Sequence, residues 1–390
     1  MSDVESVLRK VLDKVIKQIQ YNNAKISLKE HTSAGQNYTS TLFSINVTAP
    51  ERDTLKLFAK VANVNGNFRK IMNIDLMFRT EQFLYSDLVD VYEKIQDDHN
   101  LSVEHRFEFP KFYGGESAEG EETVVMEDLT AKGFQTYNRF LSVDWEHAAC
   151  AVDCLTRFHA LSFAYQKADP EKFARDAKRV ETKKRDLDSP ILKEIWMKMV
   201  ENTVNVVKEE HKERLTEVLN NGSTDFYDFK VPLSTTVLCH GDYRVSNLLF
   251  RHLDGRLDPI VVDYQTLHSG SPVADLLYFE FLCTDAQFRK EHHYRLLDHY
   301  FSSLTMSLQR LGIDINEVYP REVFDEEYKT MVSPALIITM AVLPLVLVEA
   351  EQAPHMSGIQ EVNQMAITPC ERFAERYSDL VSDCIDWGLI

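Results

Sequence analysis

The sequence predicts an α+β chain folded as two lobes, the first carrying an antiparallel sheet and the second mostly helical. Three observations carry this expectation. At 390 residues the chain exceeds one typical hydrophobic core. Runs of strand character cluster in residues 26–62 and 100–129, and from 130 onward apolar residues recur at helical spacing. One strand-like pair reappears within the helical part: Asn247-Leu248-Leu249-Phe250 and Ile260-Val261-Val262 flank the turn signal Asp254-Gly255. The lobes are expected to divide as residues 1–128 and 129–390.

Bulk properties narrow the class. Hydrophobic content of 44% and charged content of 27% are those of a globular protein in water. The net charge of −18 excludes a nucleic-acid surface as the main function, because neutralising phosphates needs clustered Lys and Arg. None of the six cysteines forms a CxxC pair. Cys150 and Cys154 share a helix face but lack a matching pair, so reduced thiols in a cytoplasmic protein are expected. The N-terminus has no apolar signal core.

Taken in order, the elements have local causes. Val4, Val7, Leu8, Val11, Leu12, Val15, Ile16 and Ile19 form a helical stripe, with Ser2 and Glu5 spaced as a capping box. This helix is expected to pack on the first lobe; its mixed-sign polar face argues against a membrane-surface helix. Strands Ile26–Leu28 and Leu42–Val47 follow, joined by a loop containing Ser33, Gly35 and Asn37. That loop reads equally as an ordinary hairpin connection or as backbone N–H groups able to cap phosphates. In the strand Leu55–Val61, Lys60 and Lys56 are rival candidates for a phosphate-pairing lysine. Residues 68–95 read as a long helix with a break near Asn73, and Phe78, Leu84, Tyr85, Leu88 and Tyr92 mark its buried side. Glu81 lies among them and either faces water at the stripe's edge or needs a buried partner.

Val124–Leu129 reads as a strand ending in acids, after a small acidic loop tip at Glu116–Glu122. Asp144 is placed to cap a helix running to about Tyr165, in which His159 reads as a core histidine. Residues 169–189 read as a charged, solvated connector. Ser271-Pro272-Val273-Ala274-Asp275 starts another helix, with Pro near its start and an acid in its first turn. Ala335–Val348 is nearly all apolar but too short for a confident span and contains Pro344. It is expected as a buried helix kinked or broken at that proline, and its residues could also wall an apolar pocket.

The chemistry concentrates in residues 237–275. A hairpin there brings Asp242, Asn247 and Asp263 to one end of two paired strands. Phosphoryl transfer needs a carboxylate to orient an attacking hydroxyl, and a carboxylate with an amide oxygen to hold Mg²⁺ on the phosphates. Asp242 suits the first task, and Asn247 with Asp263 the second. A lone HxD is weak; HxD, Asn five positions after the Asp, and a VVD downstream together make a strong signal.

HGDYRVSNLLF, VVDYQ and SPVADLLY together resemble the ecdysteroid kinase-like family, also called CHK-kinase-like, best known from insects. It lies within the choline kinase and aminoglycoside phosphotransferase group. The resemblance implies a protein-kinase-like fold, ATP with Mg as cofactors, and a small-molecule hydroxyl as acceptor. It favours Lys60 through an F-x-K-V segment, makes Glu81 its ion-pair partner, and raises Ser33, Gly35 and Asn37 as a phosphate loop. It places Glu127 and Leu129, in an E-D-L segment, at the adenine edge, and gives Asp275 the task of bracing the catalytic loop. Two positions depart from the family pattern: Arg244 stands where an aromatic is usual, and Tyr264 where Phe is.

The function expected is ATP- and Mg-dependent phosphorylation of an ecdysteroid or a similar apolar hydroxylated compound, including dietary toxins cleared by detoxification. The rivals are a choline-like amine kinase and a catalytically idle binding protein on the same scaffold. A protein kinase is disfavoured, since no APE-like motif follows Asp263. Neither nucleic acid nor a membrane span is expected.

Overall fold

A computed structural model describes residues 3–31, 39–64, 66–182, 190–222, 226–349 and 370–390. The chain opens with helix α1 (Asp3–Gln18). Strands β1 (Lys25–His31), β2 (Ser40–Thr48) and β3 (Leu55–Ala62) follow, then helices α2 (Gly66–Met72), α3 (Ile74–Phe83) and α4 (Val89–Asp98). Strands β4 (Phe112–Glu116) and β5 (Thr123–Glu127) complete an antiparallel five-stranded sheet of order β1-β2-β3-β5-β4.

The sheet is two-faced because its strands alternate. Leu57, Ala59 and Val61 of β3, with Phe43, Ile45 and Val47 of β2, pack against Val7, Leu8, Val11, Leu12 and Val15 of α1. The helical stripe of α1 is therefore spent on the sheet. Residues of opposite parity face the other way. Lys60 pairs with Val124 across β3 and β5 and so lies on the side that Val124 and Met126 share with α3 and α4. Lys56, the rival lysine, is exposed.

The break expected near Asn73 is real: Asn73 takes a left-handed conformation (φ 52°, ψ 46°) between α2 and α3. Between α3 and α4 one π-helical turn covers Leu84–Leu88. The loop after β4 differs in part from expectation. Glu122 is not at an exposed tip but fully buried, ion-paired with Arg69 and accepting the Gly120 N–H at 3.0 Å.

The rest of the chain is mostly helical: α5 (Trp145–Ala168), α6 (Pro170–Arg179), α7 (Pro190–Val206), α8 (Lys212–Asn221) and α9 (Tyr227–Lys230) precede the hairpin, and α10 (Pro272–Cys283), α11 (Ala286–Arg310), α12 (Ile315–Val318), α13 (Arg321–Leu347) and α14 (Glu371–Asp386) follow it. The two-lobed α+β architecture is the one the sequence predicts. Asp144 caps α5 by accepting the His147 N–H at 2.9 Å. Ser2, the expected cap of α1, lies outside the described residues.

Among the described residues α13 alone is long and apolar enough to cross a membrane. Leu336, Leu343 and Leu347 are fully buried, so its apolar surface is satisfied within the fold. The helix passes through Pro344 and ends three residues later, where the Val348 N–H returns to the Pro344 carbonyl at 3.1 Å. Glu327 of α13 is a buried carboxylate with five donors: the N–H and hydroxyl of Ser234, the Thr235 N–H, and the hydroxyls of Ser271 and Tyr319. It ties the segment entering the hairpin region to the start of α10.

Candidate active site

The hairpin forms as two strands, β8 (Leu248–Leu253) and β9 (Arg256–Val261), with Leu253 opposite Arg256. That register leaves a two-residue turn. Asp254 (φ 51°) and Gly255 (φ 78°) both take positive φ, the mirror-image turn whose twist matches paired strands. A short strand, β6 (Gln135–Thr136), pairs with β8 on its other edge. The strands stop one residue short of expectation at the chemical end. Asn247 sits in a 3₁₀ turn (Val245–Asn247), and Asp263 follows β9 in a left-handed conformation (φ 71°).

The loop carrying Asp242 runs from strand β7 (Val237–Cys239), which pairs with β10 (His268–Gly270). Asp275, in the first turn of α10, accepts the backbone N–H of His240 at 2.7 Å and of Gly241 at 2.8 Å. Gly241 has φ +80°, and a Cβ there would lie 2.3 Å from the Thr266 carbonyl, so only glycine fits. The Asp242 N–H donates to His240 Nδ1 at 3.2 Å, which leaves Nε2 as the protonated nitrogen, donating to the Val262 carbonyl at 3.0 Å. Burial lowers the His240 pKa and keeps the ring neutral. Tyr243 anchors the loop to α5 by donating to the Ala151 carbonyl at 2.7 Å.

His159 is the buried core histidine expected. It bonds the Tyr300 hydroxyl at 2.7 Å and Asp275 at 3.2 Å. Burial pushes the Asp275 carboxyl up, but the His159 bond and nearby histidines outweigh it and hold the group below the ordinary aspartate value. His159, Cys239 and Asp275 lie close enough to hold a metal ion. Their atoms already serve the brace, with Cys239 Sγ donating to the Ser271 carbonyl at 3.3 Å.

Asp242 is held on both oxygens. Oδ1 accepts Arg244 Nε at 2.8 Å and the Tyr278 hydroxyl at 2.7 Å, and Oδ2 accepts Asn247 Nδ2 at 2.8 Å. With about four acceptor sites on a carboxylate, one remains, on Oδ2. Burial pushes this carboxyl up as well; the Arg244 guanidinium and the bonds from Arg244 and Tyr278 more than reverse that, so Asp242 is ionised. Asn247 Nδ2 also donates to the Asp242 carbonyl at 2.9 Å, so the amide nitrogen is fully engaged and the amide oxygen is left over.

Lys60 reaches this end of the hairpin from the sheet. Its ammonium donates to both oxygens of Glu81, at 2.9 and 3.1 Å, and to Asp263 Oδ1 at 2.7 Å. Burial opposes the charge, but Asp263 and Glu81 together raise the lysine pKa, so it stays an ammonium. Glu81 is buried on α3. Thus residues from β3, α3 and the hairpin meet at one ammonium.

The other sequence-predicted positions stand apart from this group. Glu127 closes β5, its carboxylate accepting the Lys111 N–H at 2.9 Å and pairing with Lys132 at 2.5 Å. Leu129 is buried with Phe134, Leu249 and Ile260, against the hairpin. Ser33, Gly35 and Asn37 lie outside the described residues. Sequence reasoning missed Tyr278 and Glu327. Each had a signal: a tyrosine in a mostly apolar helix needs a partner for its hydroxyl, and Glu327 shares a stripe with Phe324, Tyr328 and Met331.

The model of the ecdysteroid kinase-like family matches residues 34–313. A choline/ethanolamine kinase family protein from Mesorhizobium loti aligns at 11% identity over 96% of this chain and 99% of its own, with a TM-score of 0.37. A microcompartment-associated aminopropanol kinase aligns at 11% identity over 97% and 99%, with a TM-score of 0.40. No curated protein matches by sequence. The match over residues 34–313 spans well over half of the chain, which belongs to the ecdysteroid kinase-like family.

Proposed function

We propose that the protein is an ATP- and Mg-dependent small-molecule kinase that phosphorylates a hydroxyl of an ecdysteroid or a similar apolar hydroxylated compound. The observation that supports this most is the position of Lys60. Its ammonium, bonded to Glu81 at 2.9 Å and Asp263 at 2.7 Å, puts a permanent cation beside the hairpin end that bears Asp242 and Asn247. A structural ion pair alone would not require an ionised carboxylate with an unused acceptor site next to it.

The donor set fits Mg²⁺. Asn247 has a spare amide oxygen, and Asp263 has a second carboxylate oxygen beyond the one that Lys60 takes. These are hard oxygen ligands of the kind Mg²⁺ prefers, and the bound metal neutralises charge on the phosphates. Lys60, kept in place by Glu81, meets the phosphates from the sheet side with the donor it now gives Asp263. Asp242 receives the proton of the acceptor hydroxyl at Oδ2 as the acceptor oxygen bonds to phosphorus. The terminal phosphorus–oxygen bond of ATP breaks, and ADP leaves with the electron pair. Tyr278 and Arg244 keep the carboxylate from turning.

In this reading residues 1–128 are the nucleotide lobe and 129–390 the catalytic and acceptor lobe, with Ser33, Gly35 and Asn37 serving the phosphates. At the join, Leu129 meets the adenine edge through its N–H, since the Glu127 N–H is already bonded to the Lys111 carbonyl at 2.9 Å. The six cysteines are all free, which supports a cytoplasmic setting.

The test is transfer of radiolabelled γ-phosphate from Mg-ATP to ecdysteroids, plant glycosides and choline-like amines, with Asp242→Asn as control. Label on a steroid, lost in the control, is the expected result. No transfer, together with no nucleotide binding by calorimetry, would establish the idle scaffold instead.

A further inference from the structure

Arg244 holds more capacity than the pairing with Asp242 uses. Its backbone is fixed inside the turn that carries the candidate catalytic groups: its N–H donates to the Asp242 carbonyl at 3.0 Å, and its carbonyl accepts the Asn247 N–H at 2.8 Å. The side chain is 15% exposed and uses only Nε, on Asp242 Oδ1. Neither Nη has a partner among the described residues. Neither is walled off either: the buried guanidinium nitrogens without partners belong to Arg69, Arg289 and Arg376. The Arg244 Nη groups therefore open onto the accessible side of the Asp242 turn.

The fixed charge of the site does not by itself attract an anion, so a phosphate there depends on uncommitted donors. Asp242, Asp263 and Glu81 bring three carboxylates to the site, against Lys60 and Arg244. Lys60 commits its donors to Glu81 and Asp263, whereas Arg244 keeps both Nη groups. A phosphoryl group entering between Asp242 and Asp263 meets carboxylates on both sides and needs donors that cost no reorganisation. A planar guanidinium serves two masters well, since one edge can hold a carboxylate while the other presents parallel N–H donors to phosphate oxygens. Resting on the kinase reading above, we infer that Arg244 binds the terminal phosphoryl group of ATP through its Nη groups while its Nε holds Asp242 in place.

The inference separates from a purely positioning role by the nucleotide it discriminates. A residue that only steadies Asp242 changes turnover and leaves nucleotide affinity alone. A residue on the terminal phosphoryl favours ATP over ADP. The measurement is calorimetry of Mg-ATP and Mg-ADP with the full chain carrying Asp242→Asn, which blocks turnover, compared with Asp242→Asn/Arg244→Gln. The double variant leaves no buried charge unpaired, so it avoids the folding defect expected of Arg244→Gln alone. Loss of Arg244 is expected to weaken ATP binding by about tenfold to a hundredfold and to leave ADP binding unchanged. Equal weakening of both nucleotides, or of neither, overturns the assignment while the kinase reading stands. If the wild-type chain binds neither nucleotide, the kinase reading itself falls, and this assignment falls with it.

Discussion

Asp275 accepts the backbone N–H of Gly241 at 2.8 Å across 34 residues of sequence, with its second oxygen on the N–H of His240. One carboxylate thus fixes two consecutive peptide groups immediately before Asp242. Asp275→Asn replaces one acceptor by an NH₂ that faces an N–H. The expected result is a loss of about 2–3 kcal/mol of stability and a fall of about a hundredfold in turnover, because Asp242, the proposed base, shifts relative to its acceptor. Urea unfolding and steady-state kinetics on the same preparation check both.

Lys60 is expected to show strong energetic coupling to Glu81. Removing the ammonium in Lys60→Met leaves a fully buried carboxylate with its main partner gone, at a cost of about 3–5 kcal/mol. Lys60→Met/Glu81→Leu should lose less stability than Lys60→Met alone, since the fully buried Glu81 charge is then not stranded and the unpaired Asp263 is part-exposed. A double-mutant cycle by chemical denaturation reads this, and additive losses would show that the pair is not coupled. Both variants should lose nucleotide affinity.

Acid should destabilise the fold through buried histidines before it reaches Asp242. Burial, aided by the charge of Lys230, lowers the His268 pKa to about 4, and burial lowers that of His240 too. Between pH 6.5 and 4 the unfolded chain therefore binds protons that the folded chain refuses, so stability falls as pH falls through this window. For His268 alone the loss is about 3 kcal/mol at the bottom of the window. Unfolding free energies at pH 7 and pH 4.5 should differ in this direction, and less so in His268→Gln. Asp242, whose pKa is lowered, stays ionised across the same window, so an acidic limb of the turnover profile between pH 5 and 7 would not come from it.

Tyr264→Phe should be neutral or stabilising. The Tyr264 ring is fully buried against Tyr85, Phe109 and Phe158, but its hydroxyl has no hydrogen-bond partner among the described residues. Deleting that oxygen removes the cost of an unsatisfied buried group and keeps the ring contacts, for a gain of up to about 1–3 kcal/mol. A raised unfolding midpoint with unchanged turnover is the expected outcome; a loss of stability would reveal an unseen partner for the hydroxyl.

What could be read from the chain and what could not divide along physical lines. The hairpin was legible because its turn and its two apolar runs are local, and Asp254-Gly255 adopts the geometry its residue types favour. Lys60 and Glu81 were half legible: parity on a strand and an acid in an apolar stripe mark residues that need partners without saying which. The resemblance supplied the pairing, and the structure shows the contact. Tyr278 bonds to a residue 36 positions away, and Glu327, besides its near neighbour Tyr319, to residues 56 to 93 positions away; no local pattern encodes such distances. Arg244 stood out as a departure, but its engagement of Asp242 depends on the conformation of the loop, which Gly241 and Asp275 impose.

The principal hydrophobic core has a consequence for how the chain can be cut. Phe78, Leu88 and Tyr92, from the segment after β3, share it with Phe158 and Leu161 of α5 and with Leu276 of α10. The join near residue 128 therefore separates two architectures but not two independently soluble pieces. A fragment ending there would present the apolar side of α3 and α4 to water and would aggregate, and its complement would carry a matching wound. Expression, labelling and crystallisation strategies should keep both halves on one polypeptide and look for tolerant insertion points in surface turns such as Asp254-Gly255.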